Sequence, residues 1–309
     1  DPLIVGTSGR YEFRNKGIDI FLDALKQLAE TDALDREVLV YITVPSATTG
    51  PRKDLQAHLA DENSPIDPKQ NRFCTHYLEH PEWDQILNSI AGSVLANPSS
   101  KVKVVFVPTY LNGRDGIFDK SYYELLVGMD MTLFPSYYEP WGYTPLESTA
   151  FSVPTLTTTL AGFGLWAGSQ GEHEGVTLVA RNDDNYAEAA REIAKALLHF
   201  TKYTPQEVEI ARNAAAELSR TALWSELYAA YEKAYSEAIE RSVTRTNRAV
   251  LNDGGGATEQ INFVRQQLIT EKPHWNRVMV EKVLPKRLHA LEVLSHNLWW
   301  SWTRGARDL

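Results

Sequence analysis

The chain has 309 residues, of which 43% are hydrophobic and 23% charged, and its net charge is −9. Such a composition is typical of a soluble globular protein with one large domain, alone or with appendages. The negative charge argues against nucleic acid as the main partner, because phosphate binding needs a basic face, whereas a neutral sugar polymer is compatible with it. No apolar stretch approaches the roughly 20 residues of a membrane span.

The N-terminus and the single cysteine indicate the context of the chain. Residues 1–5 include no initiator Met and no signal pattern and enter a strand almost at once, so we expect a fragment of a longer protein. Cys74 cannot form an internal disulfide, which favours a reducing, cytoplasmic compartment. Cys74 and His76 lack a paired ligand motif, so we predict structural roles for both and no metal site.

Strands and helices are predicted to alternate through the first 180 residues. Apolar runs predict strands, and apolar residues at helical spacing predict helices. The predicted strands are 3–5, 37–45, 101–108, 131–135, 153–159 and 176–179, and the predicted helices are 18–28, 83–95 and 121–129. The polar segment 46–82 indicates an insertion. This alternation is typical of an α/β fold with a parallel sheet and right-handed crossovers.

The composition changes near residue 185. Segment 185–243 has no Gly and one Pro and predicts two or three long helices, and the Gly-rich stretch that follows predicts a flexible linker. The predicted division is therefore 1–250 for the sheet domain with its C-terminal helices, 251–260 for the linker and 261–309 for a helical segment.

The stretch 137–147 is the most informative about function. It follows a predicted strand, and Thr144 to Glu147 match a helix capping box with Pro145 at the first helical position. In open α/β sheets, ligands bind beyond the carboxyl ends of strands, and helix N-termini present N–H groups to anions. Glu139 and Glu147 are therefore placed to touch one ligand. Capping explains Glu147 equally well, whereas nothing local requires a carboxylate at Glu139.

Two cations, Arg10 and Lys16, flank the loop between the first strand and the first helix. Preorganised Arg and Lys side chains stabilise the charge that grows on a departing diphosphate. The alternative is a pair of solvated cations, or ion pairs with Glu12 or Asp19.

Five aromatic residues lie near the same predicted cleft. Sugars and bases stack on such rings, although any one ring is more often part of the core. We expect at least one of them to face a ligand: Tyr122, Tyr137, Tyr138, Trp141 or Tyr143.

These motifs together resemble the glycogen synthases of the animal and fungal type. The matching segments are Gly9–Phe13, Asn15–Gly17, Cys74–His76, Val102–Val104, Phe134–Pro145 and Ala161–Gly164. The resemblance spans roughly residues 3–240. It implies a retaining glycosyltransferase with the GT-B fold, in which two Rossmann-like domains face each other across a cleft. This chain would be the C-terminal, donor-binding half.

The resemblance also implies roles for residues that touch the reacting groups. Arg10 and Lys16 would bind the donor diphosphate and stabilise the leaving nucleotide. Glu139 would hold the transferring glucose through its hydroxyls and lie closest to the reaction.

Further donor contacts follow from the same resemblance. Tyr122 would stack on uracil, and Glu147 would bind the ribose, in competition with its capping interpretation. Backbone N–H groups at the helix start would meet phosphate, and the donor site would include Trp141, Gly142, Tyr143 and Thr144.

The implied substrates are UDP-glucose and an α-1,4-glucan, with no metal or covalent cofactor. ADP-glucose stays open, since the choice of base depends on the surroundings of Tyr122. The family's N-terminal lobe would precede Asp1, so this chain alone is expected to bind donor weakly and to be nearly inactive.

Neither nucleic acid nor membrane is an expected partner, and the family is compatible with an oligomer. The rival hypothesis is a non-catalytic module that binds nucleotide or glucan; both cations and both glutamates argue against it.

Eukaryotic members carry an arginine-dense regulatory helix, and the counterpart here, Ala211–Leu227, offers only Arg212 and Arg220. We therefore expect no response of the whole enzyme to glucose 6-phosphate; severalfold activation would contradict this.

The tail carries a second resemblance. Segments 284–288, 291–294 and 296–302 resemble the opening of bacterial-type α-glucan phosphorylases. The alternative is an amphipathic helix that packs its tryptophans on the α/β domain. The expectation is a fusion of a glucan-building module to a glucan-degrading one, which phosphorolysis of glycogen by the full-length protein would support.

Overall fold

The computed structural model describes residues 2–252, apart from the side chains of 243 and 245–252. Within this part the chain forms eight strands, nine α-helices and 3-10 turns at Pro81–Trp83 and Val94–Ala96. In chain order the elements are β1 (Leu3–Ser8), α1 (Ile18–Glu30), β2 (Val38–Thr43), β3 (Thr48–Pro51), α2 (Lys53–Ala60), β4 (His76–Leu78), α3 (Gln85–Ile90), β5 (Val102–Val107), α4 (Tyr122–Leu126), β6 (Met131–Phe134), α5 (Tyr143–Ala150), β7 (Thr155–Thr158), α6 (Gly162–Ser169), β8 (Val176–Val179), α7 (Tyr186–Phe200), α8 (Pro205–Arg220) and α9 (Trp224–Asn252).

Six strands form one parallel sheet in the order β5-β2-β1-β6-β7-β8. The chain adds strands outward from β1 on one side, then returns to β1 and adds strands on the other side. Val5 therefore pairs with Val40 on β2 and with Met131 on β6. Such a reversal creates a crevice at the carboxyl ends of the two central strands. The predicted Rossmann-like α/β fold is confirmed.

Helix α1 holds the loop after β1 against the main core. Its apolar face is fully enclosed, with Phe21 and Leu25 at 0% exposure, in a cluster shared with β1, β2, β5 and α7. Burying one such side chain stabilises the fold by about 1.5–3 kcal/mol. The first residues of α1 are thereby fixed relative to the carboxyl edge of the sheet.

Two predicted segments differ from the observed elements. The predicted helix 83–95 is interrupted, because Asp84 starts α3 anew by accepting a 2.8 Å bond from the Leu87 N–H, and Gly92 lies just past its end at φ +74°. The predicted insertion 46–82 contains α2 and the antiparallel pair β3 and β4. The long helices predicted after residue 185 are confirmed as α7, α8 and α9.

The chain divides into a compact unit of Asp1–Leu227 and a second that starts at Tyr228, within α9. Residues 251 and 252 of the predicted linker belong to α9. The remaining linker and segment 261–309, including its resemblance to phosphorylases, lie outside the described residues. Among the helices of the described region, none combines the length and apolar character of a membrane span.

Candidate functional site

A cleft of about 470 Å³ opens at the carboxyl edge of the sheet, beside the point where the strand order reverses. This volume falls within the range of small-molecule sites. Four of the predicted site residues line it, namely Arg10, Tyr122, Thr144 and Glu147. The rest of the wall comes from the ends of β1 and β2 and the segment after β5: Ser8, Gly9, Tyr11, Thr43, Pro45 and 109–112.

Lys16 and Glu139 form an ion pair beside this cleft. Their side chains are 15% and 19% exposed, so the pair is mostly shielded from water. The Lys16 chain runs next to Gly9, which lines the cleft, and the Glu139 chain runs next to Gly142 at the start of α5. The two residues are 123 positions apart in sequence and come from different loops. The fold therefore brings the predicted catalytic cation and carboxylate into direct contact.

The loop that carries Lys16 is held against the loop after β6. Gly17 has φ +69°, and a Cβ there would lie 1.9 Å from the Pro135 carbonyl oxygen, so only glycine fits. Two residues further on, the Tyr137 N–H donates to the Asn15 carbonyl at 2.8 Å. Both residues that flank Lys16 thus contact the loop that leads to Glu139.

The Glu139 backbone is fixed from the other side by the loop after β7. Its N–H donates to the Leu160 carbonyl at 3.3 Å, and its carbonyl accepts from the Gly162 N–H at 3.0 Å. A Cβ on Gly162 would lie 2.2 Å from the Pro140 carbonyl oxygen, which accounts for the glycine in this motif. Glu139 therefore lies on a braced segment.

The predicted capping box at the start of α5 is wrong. The helix begins at Tyr143 with Gly142 as N-cap at φ +106°, and no side chain caps it. Glycine adopts this left-handed conformation readily, so the helix starts two residues earlier than predicted and Glu147 lies beyond the capping position. The Glu147 carboxylate accepts instead from the Tyr123 hydroxyl at 3.2 Å. Burial raises the pKa of Glu147 above its ordinary value.

Tyr122 is oriented by one contact at its hydroxyl and another at its ring. Its hydroxyl shares a 2.7 Å hydrogen bond with Ser8 Oγ, and its ring meets Tyr123 edge-on at 5.3 Å. Ser121 and Glu124 form a capping box that fixes the start of α4. Burial raises the pKa of Tyr122, so its hydroxyl stays protonated at neutral pH. The result is a fixed aromatic wall in the cleft.

The other predicted residues differ in how they meet the cleft. Arg10 is 77% exposed on its side chain and pairs with Glu12 at 3.0 Å, the ion pair that the sequence left open. Trp141 packs on Phe163 and Trp166 in a satellite core and does not line the cleft. Tyr143 is 71% exposed at the first position of α5, and its side chain does not line the cleft either.

Cys74 and His76 are buried and bonded within the fold. The Cys74 thiol donates to the His76 carbonyl, and burial raises its pKa to about 11. The His76 ring contacts Thr75 Oγ1 at 2.9 Å and the Asp115 carbonyl at 3.0 Å. In the described part of the chain, no three His, Cys, Asp or Glu side chains cluster as metal ligands would.

Sequence reasoning missed Arg181. The residue is buried at 6% exposure, and its guanidinium donates to the Pro135 carbonyl in the loop that leads to Glu139. Arg181 follows β8, which lies at the edge of the sheet, and no local motif marks it. Tyr11 was also missed as a cleft residue, although it lies inside the Gly9–Phe13 motif.

The family model for glycogen synthase matches residues 55–287. The chain therefore belongs to the glycogen synthase family. It is 28% identical to a glycogen [starch] synthase of Neurospora crassa, with 76% of this chain and 42% of the relative covered, and 28% identical to one of Caenorhabditis elegans, with 76% and 43% covered. A human liver glycogen [starch] synthase is 28% identical, with 78% and 42% covered. The chain thus spans less than half the length of these curated relatives.

Two solved structures resemble the chain at low sequence identity. A glycosyltransferase from Rickettsia africae gives a TM-score of 0.44 at 16% identity and covers 77% of this chain and 48% of its own. A sucrose-phosphate synthase from Thermosynechococcus elongatus gives a TM-score of 0.47 at 18% identity, and the match covers 78% of this chain and 46% of that protein.

Proposed function

We propose that the full-length protein transfers glucose from UDP-glucose to the non-reducing end of an α-1,4-glucan with retention of configuration. This chain would supply the donor-binding half of a GT-B enzyme, and an N-terminal lobe would complete the cleft. Membership of the glycogen synthase family supports the proposal. The observation that carries it is the Lys16–Glu139 ion pair, beside a nucleotide-sized cleft at the reversal point of the sheet.

The cations and the start of α5 supply the chemistry of the leaving group. A departing nucleoside diphosphate gains negative charge, which Lys16 and Arg10 stabilise from one side. The N–H groups at the start of α5, from Tyr143 and Thr144, provide a further anion site. Arg10 is exposed and pairs with nearby Glu12, so its side chain can turn towards phosphate.

Glu139 holds the transferring sugar. Its carboxylate accepts hydrogen bonds from sugar hydroxyls, and its contact with Lys16 keeps it next to the diphosphate. The acceptor 4-hydroxyl attacks on the face from which the nucleotide departs, which retains the configuration. Closure of the two lobes excludes water, so the glucosyl group passes to the glucan rather than to solvent.

Tyr122 and Glu147 recognise the nucleoside. The fixed Tyr122 ring offers a stacking face for uracil, and Glu147, in the same cleft wall, accepts from ribose hydroxyls. ADP-glucose is the alternative donor, because stacking on Tyr122 accepts either base. We place the reaction in the cytoplasm, where the single thiol stays reduced.

The first test is calorimetric titration of this chain with UDP and with ADP, with Arg10→Ala as the control. Binding of UDP that the substitution removes would place the donor site here and identify the base. The second test is transfer from labelled UDP-glucose to glycogen by the full-length protein. Tight donor binding without transfer would overturn the enzymatic proposal and favour a non-catalytic nucleotide-binding module.

A further inference from the structure

We propose that Arg181 is a positioning residue that clamps the two loops carrying Lys16 and Glu139 into register. This inference rests on the proposed function, in which those two side chains act on the donor. Arg181 itself does not line the cleft and would act through the loops alone.

The guanidinium of Arg181 lies under the loop after β6. It donates to the Pro135 carbonyl and stands 5.3 Å from the centre of the Tyr137 ring. The Tyr137 hydroxyl in turn donates to Asp183, two residues beyond Arg181. Arg181 and Asp183, in the segment after β8, therefore hold this loop at three points: the Pro135 carbonyl, the Tyr137 ring and the Tyr137 hydroxyl.

The guanidinium also reaches the loop after β1. A Cβ on Gly17 would lie 3.2 Å from Arg181 Nη1, so the Gly17 backbone packs directly on the cation. Gly17 adjoins Lys16, and the Tyr137 N–H bonds to Asn15 on the other side of Lys16. One cation thus contacts both loops at the point where they cross.

The base of the clamp is fixed as well. The Arg181 N–H donates to Thr159 Oγ1 at 3.0 Å, and that hydroxyl donates to the Arg181 carbonyl at 3.2 Å. Thr158 Oγ1 donates to the Ser136 carbonyl at 2.7 Å, within the loop that Arg181 holds. The ends of β6, β7 and β8 are joined through these bonds.

Burying a cation costs free energy unless its surroundings compensate for the lost water. Burial lowers the pKa of Arg181, and the carboxylate of Asp19 opposes that shift. Asp19 lies in the first turn of α1, directly after the Lys16 loop. An arginine fits this site better than a lysine, because its planar guanidinium can donate hydrogen bonds to a carbonyl and stack on an aromatic ring at the same time.

Catalysis depends on the placement of Lys16 against Glu139. A displacement of about 1 Å at reacting groups lowers a rate by roughly 100-fold. Loss of the clamp would let the two loops move apart without removing either side chain. We therefore expect Arg181→Gln to lower kcat of the full-length protein by about 100-fold, with the KM for glucan changed less than threefold.

The matched control is Arg212→Gln. Arg212 donates to two carbonyls, those of Met129 at 2.7 Å and Ser152 at 3.3 Å, at the opposite edge of the sheet. Arg212→Gln should lower the melting temperature and leave kcat per folded molecule within about twofold, as expected when an arginine has only a structural role. Arg181→Lys keeps the charge and one donor and should recover activity to within about tenfold of the wild type.

Hydrogen exchange of the Tyr137 amide supplies a readout that does not need activity. Arg181→Gln should speed this exchange at least tenfold, because the bond to Asn15 opens with the loops. Unchanged exchange, or a wild-type kcat per folded molecule in Arg181→Gln, would overturn the clamp. A kcat loss of equal size in Arg212→Gln would also overturn it. If the wild type transfers no glucose, the proposed function fails, and the exchange rate still decides on the clamp.

Discussion

Arginines at both edges of the parallel sheet bind backbone carbonyls, yet their surroundings differ. At the amino edge, Arg212 donates to carbonyls before β6 and β7 and lies 3.6 Å from Asp130, which also accepts from the Ile4 N–H at 2.8 Å. Arg212, Asp130 and the two carbonyls are therefore all hydrogen-bonded or ion-paired within the fold. The network joins α8 to the sheet, and neither Arg212 nor Asp130 lines the cleft at the carboxyl edge.

At the carboxyl edge, Arg181 contacts the loops after β1 and β6 rather than strand ends, and these loops carry Lys16 and Glu139. Lys16 pairs with Glu139, and Glu147 is held in the cleft wall by one tyrosine hydroxyl. Perturbed pKa values cluster at functional sites, and burial raises the pKa of Glu147 in this cleft wall. The same contact, an arginine on a carbonyl, is made to strand ends at one edge and to a loop of the candidate site at the other.

The largest expected effect is a loss of glucosyl transfer when residues at the carboxyl edge are substituted. Lys16→Met and Glu139→Gln should each lower glucosyl transfer by the full-length protein at least about 100-fold, since each removes a charge that acts on the donor. Glu139→Gln should also tighten UDP binding to this chain, because Lys16 no longer shares its charge. Radiolabel transfer and calorimetry measure the two effects.

Lys26→Met is the control for these variants, since Lys26 pairs with Asp23 at 2.9 Å on α1 without lining the cleft. Its transfer rate should match the wild type. Equal losses in Lys26→Met and Lys16→Met would remove the distinction between the carboxyl edge and the rest of the domain.

The next effect concerns stability at the amino edge. Arg212→Gln should lower the free energy of unfolding by roughly 2 kcal/mol, because two carbonyls and Asp130 lose a charged donor. Urea unfolding of this chain measures it, and UDP affinity should stay within about twofold. A tenfold loss of UDP affinity would show that the two edges are coupled and would break the comparison.

The smallest effect is a pH-dependent gain in stability at the carboxyl edge. Burial raises the pKa of Glu147, so the folded chain favours the protonated carboxyl. Below the ordinary carboxyl pKa both states are protonated and the substitution Glu147→Gln has no effect through ionisation. As pH rises, the unfolded chain ionises first and the wild type loses stability, fully so above the raised pKa. At pH 7.5 Glu147→Gln should therefore raise the melting temperature by about 2 °C.

Glu124→Gln gives the opposite sign and serves as the control. Hydrogen bonds from Ser121 lower the pKa of Glu124, so its ionised form favours the folded chain, and that stability is lost as pH falls through the lowered value. The variant should melt lower than the wild type at pH 7.5. A Glu147→Gln variant that also melts lower there would show that its carboxylate stabilises the fold rather than serving a ligand.

Much of the site follows from the sequence because its signals are local. Arg10, Lys16 and Glu139 each lie in a loop that follows a predicted strand, so an open parallel sheet places them at one edge. The predictions that failed concerned where a helix begins, because more than one residue nearby can start the helix. The capping box at Thr144 competed with a left-handed glycine at position 142, and the helix 83–95 competed with a new start at Asp84.

The sequence by itself determined the alternation of strands and helices, the family motifs and the residue types at the cleft. Only the tertiary structure decided which of these meet: Lys16 with Glu139, Glu147 with Tyr123, and Arg181 with the loops that carry Lys16 and Glu139. The reason is physical. Hydrophobic periodicity fixes what each segment becomes, whereas contacts between distant segments depend on the order in which the strands pair, and that order is set by packing of the whole sheet.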